Sequence, residues 1–194
     1  MYGEKITGCS NEGGIILFTD GRSRKVVFIA HCLLNQNAIS DGTAVFPAAF
    51  RDVIDAYLNK DVGIVQLPCP ELCCLGLDRG NVNGAKSPVT EENTRIRRAM
   101  EADEMKKQLS QLADYVMKQI TEYHRHGFEI EAIIGANRSP NCGVETTSDN
   151  DREIDGRGLF MEELHRRLEE EKLEIPMFGI KSNGDYMKKI GSCL

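Results

Sequence analysis

No apolar run of about 18 residues, the length a helix needs to cross a bilayer, occurs in the chain, so no membrane partner is expected. Basic residues are in deficit: 24 Lys and Arg face 30 Asp and Glu, a net charge of −6. Phosphate backbones are bound by basic surfaces, so nucleic acid is not an expected partner either. A secretory leader is not legible, because Glu4 brings an acid early and residues 15–18 are a short apolar run. Internal repeats and low-complexity segments are missing. So is a Gly-x-Gly-x-x-Gly fingerprint after the first predicted strand, where His31, Cys32, Leu33, Leu34 and Asn35 stand instead. That absence argues against a dinucleotide site.

Cysteine, by contrast, is plentiful: seven in 194 residues. Without an export signal the expected location is cytoplasmic, and in a reducing cytosol cysteines bind metals or do chemistry more often than they form disulfides. A hydrophobic fraction of 41% and a charged fraction of 28% describe a soluble globular chain. The length suits one α/β domain over residues 1–194, with 1–24 as a poorly defined extension.

Apolar patterning sets out the elements. Residues 26–34 are a nearly continuous apolar run, as in a strand buried on both faces, and 62–67 and 128–136 read as further core strands. Phe46, Phe50, Val53, Ile54 and Tyr57 give a helix one apolar stripe. Residues 71–90 show no period and read as a long loop. Residues 91–124 read as one long helix or two broken ones, with Ile96, Met100, Met105, Leu109, Leu112, Val116, Ile120 and Tyr123 inward. A charged helix at 158–171 turns Phe160, Leu164 and Leu168 to the core. A strand at 175–180 and a short helix at 183–190, capped by Asn183, close the chain. Alternating strands and helices build parallel sheets. The expected fold is a three-layer α/β sandwich with a mainly parallel sheet of four or five strands, flavodoxin-like or Rossmann-like.

Three cysteines sit where predicted strands run out: Cys32, Cys69 and Cys142. They are far apart in sequence, but a parallel sheet gathers its carboxyl ends at one edge, where open α/β sheets bind ligands. Three thiolates meeting there point to a soft metal or an iron–sulfur cluster. The plainer alternative is that each packs as a small hydrophobe. Two lie in proline-bearing turns, Pro68-Cys69-Pro70 and Ser139-Pro140-Asn141-Cys142-Gly143. Cys73 and Cys74 are either further ligands or loop residues, and Cys9 and Cys193 lie near the termini. Zinc fits less well, because structural zinc takes four ligands, commonly as two close pairs. His31 is expected to point away from Cys32 on a strand. His124 and His126 answer a helix dipole, and His165 is solvated.

Cys32-Leu33-Leu34, Cys69-Pro70-Glu71 and Ser139-Pro140-Asn141-Cys142-Gly143 resemble, in order and spacing over about residues 26–144, the signatures of the thiouracil desulfidase family. The chain departs from the family pattern at residues 34–42, where only Asp41-Gly42 survives, and at Cys73-Cys74-Leu75-Gly76-Leu77, although Arg79 matches a downstream arginine. It therefore looks like a divergent branch. The resemblance implies a [4Fe-4S] cluster held by Cys32, Cys69 and Cys142, with one iron free of protein ligands. A small thiocarbonyl substrate would bind that iron and lose its sulfur as sulfide without net redox change. Glu71 would be the general base and Ser139 a hydrogen-bond partner of the substrate. Asn35, Asn37, Arg79 and Asn137 are candidates to line the pocket, with Arg79 placed to meet an anionic group. The alternatives are a non-catalytic sulfide or sulfur carrier and an electron-transfer protein. A monomer or homodimer is expected.

Overall fold

Residues 20–182 and 186–193 are described by the computed structural model of the chain. The short apolar run at 15–18, Cys9 and the candidate cap Asn183 lie outside these residues. Among the described residues the strands are β1 (Lys25–Ile29), β2 (Gly63–Gln66), β3 (Glu129–Ala136), β4 (Thr146–Asp149), β5 (Arg152–Asp155) and β6 (Met177–Ile180). The helices are α1 (His31–Leu34), α2 (Arg51–Leu58), α3 (Pro70–Leu75), α4 (Val89–Met100), α5 (Asp103–Arg125), α6 (Leu159–Glu170) and α7 (Tyr186–Cys193).

Four strands form one parallel sheet in the order β2-β1-β3-β6. This is the opening of the flavodoxin-like order 2-1-3-4-5. Val27, Phe28 and Ile29 of β1 and Ala132, Ile133 and Ile134 of β3 are fully buried, as central strands covered on both faces must be. Helices form the outer layers: α2 meets α7, and α5 meets α3 and α6. Phe160, Leu164 and Leu168 of α6 all face the core, as their spacing predicts.

The structure differs from the sequence reading at several elements, each with a local cause. Phe46 and Phe50 precede α2 rather than belonging to it, because Pro47 disfavours helical backbone at the residue before it. Their rings meet edge to face, 4.7 Å apart. Of the two readings of residues 91–124, the structure takes the second: they lie in two helices, α4 and α5. Ala102 is extended (φ −64°, ψ 144°) and α5 restarts with Asp103 and Glu104 at its positive end. Residues 71–90 hold α3 and a 3-10 turn at Gly84–Lys86; a six-residue helix is too short to show a period. Residues 31–34 are helical, not extended. The antiparallel pair β4–β5 turns through Asn150 and Asp151, both with positive φ, the conformation a tight hairpin requires.

Candidate active site

The turns that bear Cys32, Cys69 and Cys142 all leave the carboxyl edge of the sheet. After β1 the chain enters α1, which carries Cys32. The carbonyl of Cys32 accepts a 2.7 Å hydrogen bond from Gln36 Nε2, while Gln36 Oε1 accepts from the amide of Val45 at 3.0 Å. Gln36 is 2% exposed and so ties the first cysteine to the segment across from it. After β2, Cys69 caps α3: its Sγ accepts from the Leu72 amide at 3.4 Å. Pro70 at the first helical position and Glu71 in the first turn favour this helix start.

After β3 the chain folds back on itself, with the Ala136 amide donating to the Cys142 carbonyl at 2.8 Å. Close approach is possible because Gly135 has no side chain; a Cβ there would lie 2.2 Å from the Cys142 oxygen. The β1→β2 and β3→β6 connections leave the central strands in opposite directions, so Cys32 and Cys142 flank the topological switch point where open sheets bind ligands.

Cys32, Cys69, Cys142, Glu71, Arg79 and Ser139 line one cavity of about 110 Å³. Its sulfurs sense one another. Burial, then Cys69 and Glu71, push the Cys32 thiol up to about 12; burial and then Glu71 push Cys69 up to about 11. Cys142 is raised well above its ordinary value by burial, then by Cys32 and Cys69. Arg79 opposes the rise at all three. Without a cation among them these thiols keep their protons. Among the described residues no group of three or more His, Cys, Asp and Glu side chains is drawn together tightly enough to hold a metal ion.

Glu71 is 7% exposed and surrounded by donors. Oε1 accepts from Asn141 Nδ2 at 3.0 Å and Ser139 Oγ at 3.3 Å; Oε2 accepts from Arg79 Nε at 3.2 Å and Ser40 Oγ at 3.4 Å. Ser139 Oγ in turn accepts from the Cys142 amide at 2.9 Å and the Asn141 amide at 3.3 Å, which links the carboxylate to the third cysteine turn. Sequence reasoning passed over Ser40, Gln36 and Asn141. Asn141 is fully buried beside Cys142, and its Oδ1 has no hydrogen-bond partner. No spacing signal marks these residues, because they come from separate loops.

The four residues expected to line the pocket, Asn35, Asn37, Arg79 and Asn137, are engaged otherwise. Asn35 does not line the cavity; its side chain caps the 3-10 turn Gln36–Ala38 by accepting from the amide and side chain of exposed Asn37. Asn137 lines the cavity, but Oδ1 accepts from the amides of Val144, Glu145 and Thr146, and Nδ2 donates to Glu145 at 2.7 Å. It shapes its own turn. Arg79, 2% exposed, donates to Glu71, to the carbonyls of Gly76, Leu77 and Ala38, and to Cys69 Sγ at 3.8 Å. Its guanidinium therefore braces the site and has no donor left for a substrate anion.

Cys73 is exposed, Cys74 is half-buried, and neither lines the cavity. His31 lies outside the lining as well, and its Nε2 is buried without a hydrogen bond. His124 and His126 fall at the end of α5 and at its cap.

An uncharacterized protein of Methanocaldococcus jannaschii is 28% identical over 170 residues, which cover 86% of this chain and 93% of that protein. No solved structure matches the chain. The sequence profile of the 2-thiouracil desulfurase family matches residues 27–174. That match spans more than half of the chain and takes in all three cysteine-bearing strand ends, so the chain belongs to the 2-thiouracil desulfurase family.

Proposed function

We propose that the protein removes sulfur, as sulfide, from a small thiocarbonyl compound by non-redox hydrolysis, using a [4Fe-4S] cluster held by Cys32, Cys69 and Cys142. The observation that carries this reading is the convergence on one cavity with Glu71 of three thiols from three separate strand ends, those of Cys69 and Cys142 buried and that of Cys32 half-buried. The donor set suits a cluster better than a single ion. At a zinc–sulfur distance of about 2.3 Å, three thiolates on one ion crowd to within about 4 Å of one another, and no such tight group occurs among the described residues. Donors already aimed at sulfur, the Leu72 amide and Arg79, favour the thiolate form.

When bound, the cluster supplies an open iron that polarises a thiocarbonyl as a Lewis acid. The remaining work falls to side chains. Glu71 accepts the proton of the attacking water. Arg79 and Asn141, on different oxygens, fix the plane of its carboxylate, whereas the two hydroxyls at 3.3 and 3.4 Å hold it loosely and yield to water or substrate. Ser139, positioned by two amides, orients the reacting group beside Glu71. A carbon–oxygen bond forms, the carbon–sulfur bond breaks and sulfide leaves, so no electrons are exchanged with a partner.

Protein isolated without oxygen is expected to hold about four irons per chain and to release sulfide from 2-thiouracil or a simple thioamide. Glu71→Gln is expected to abolish release while iron content stays constant. Iron-free protein, or unchanged release by the variant, overturns the reading. A cluster with no release from any thio-compound assigns the protein to sulfur carriage instead.

A further inference from the structure

Three positively charged residues line the cavity: Arg79, Arg138 and Lys181. Arg79 is paired with Glu71, and Lys181 with Glu153 at 2.6 Å. Arg138 is different. Among the described residues its guanidinium has neither an ion pair nor a hydrogen bond. The acid within its field is Glu153, and both oxygens of that carboxylate are already bound by Lys181, one of them by Thr146 as well.

The main chain shows how deliberately this cation is placed. Arg138 is left-handed, φ +72°, a conformation that a non-glycine residue keeps when its surroundings over-determine it. Its amide donates to the Thr146 carbonyl at 3.0 Å. Its carbonyl accepts from Asn93 Nδ2 at 3.2 Å and Ser148 Oγ at 2.6 Å. Asn93 and Ser148 are both buried and bond to each other at 3.1 Å. Two buried polar side chains on α4 and β4 thus clamp the backbone of a cavity-lining arginine and leave its fork of donors unused.

We propose that Arg138 recognises the substrate by pairing with a carboxylate carried on the thiolated compound. The inference rests on the desulfurase reading above and narrows it to anionic thiocarbonyl substrates. A planar guanidinium matches a carboxylate in a two-bond fork. One unpaired cation also balances one negative charge, whereas a phosphate carries about −1.5 to −2 and the described lining offers it no second unpaired cation.

The test compares 2-thiouracil with the same ring bearing a carboxylate, on the full chain isolated without oxygen. The unaltered protein is expected to favour the carboxylated ring in kcat/KM by about tenfold or more. Arg138→Gln raises KM for that compound about tenfold and moves kcat far less; Arg138→Lys, which keeps the charge but not the fork, falls between. Glu153→Gln retains the preference, and its loss there would show Arg138 to be scaffolding and overturn the proposal. Equal use of both compounds overturns it while leaving the desulfurase reading intact, and preference for a phosphorylated ring overturns the carboxylate assignment. Release from neither compound removes the desulfurase reading. Calorimetric binding of the carboxylated ring to the same proteins then decides: about tenfold weaker binding by Arg138→Gln supports the proposal, and equal or absent binding ends it.

Discussion

Glu71 and Arg79 bring opposite charges into a region where an isolated charge is costly to bury. Their contact at 3.2 Å is nearly closed to water, with the arginine side chain 2% and the glutamate side chain 9% exposed. Removing one partner of such a pair strands the other and costs about 3–5 kcal/mol. Arg79→Met is therefore expected to lower unfolding stability in urea by that order. Combining it with Glu71→Gln should cost clearly less than the two changes separately, since the stranded charge is gone. At Gly135 the constraint is steric. A Cβ would sit 2.2 Å from the Cys142 carbonyl oxygen and 2.6 Å from a Val144 methyl, so backbone must move. Gly135→Ala is expected to cost about 1–3 kcal/mol, measured by thermal melting. If Cys142 holds the proposed cluster, the substitution should also lower the iron retained per chain, because the displaced segment carries that cysteine.

At the scale of elements, the hairpin β4–β5 is joined to the residue after β6 through Lys181, whose Nζ donates to both oxygens of Glu153 at 2.9 and 2.6 Å. The lysine contact, then the hydroxyl of Thr146, hold the Glu153 carboxyl below its ordinary range against the opposing effect of burial. A folded-state pKa below the unfolded value of about 4.3 means the contact stabilises fully above that pH and is lost as pH falls through the lower, folded value. The stability difference between the unaltered chain and Glu153→Gln is thus expected to be largest near neutrality. It should shrink as pH falls through the lowered, folded value and vanish below it, as read from urea midpoints at each pH. α3 shows the opposite kind of economy. Six residues make too short a helix to be stable alone, yet it carries Cys69 as its cap and Glu71 in its first turn, so one small element sets both a sulfur and the carboxylate.

At the scale of the whole molecule, β1 and β3 are the innermost strands, paired on both edges and shielded by helices. Their amides are expected to exchange with solvent last, near the global unfolding limit, and those of the hairpin Thr146–Asp155 earlier, in a hydrogen-exchange time course. These strands were also the easiest to read, because continuous apolar runs at 26–34 and 128–136 need no partner to be recognised. The inward residues of α5 and α6 were legible for the same local reason, as were the proline-bearing turns of Cys69 and Cys142. Two things were not legible: α3, too brief for periodicity, and the hairpin, whose turn lies in the φ values of Asn150 and Asp151. Side-chain allegiance was hidden more deeply. Arg79 and Asn137 stand where a substrate contact is expected, but Glu71 and the amides after Cys142 claim them first. Asn141, Ser40 and Gln36 gain their roles from residues 9 to 70 positions away. Local pattern thus specified strands, helices and the order of the cysteines, since these follow from neighbours along the chain. Which polar groups are satisfied, and which cation is left facing the cavity, followed only once distant loops met, because hydrogen-bond competition is settled in space.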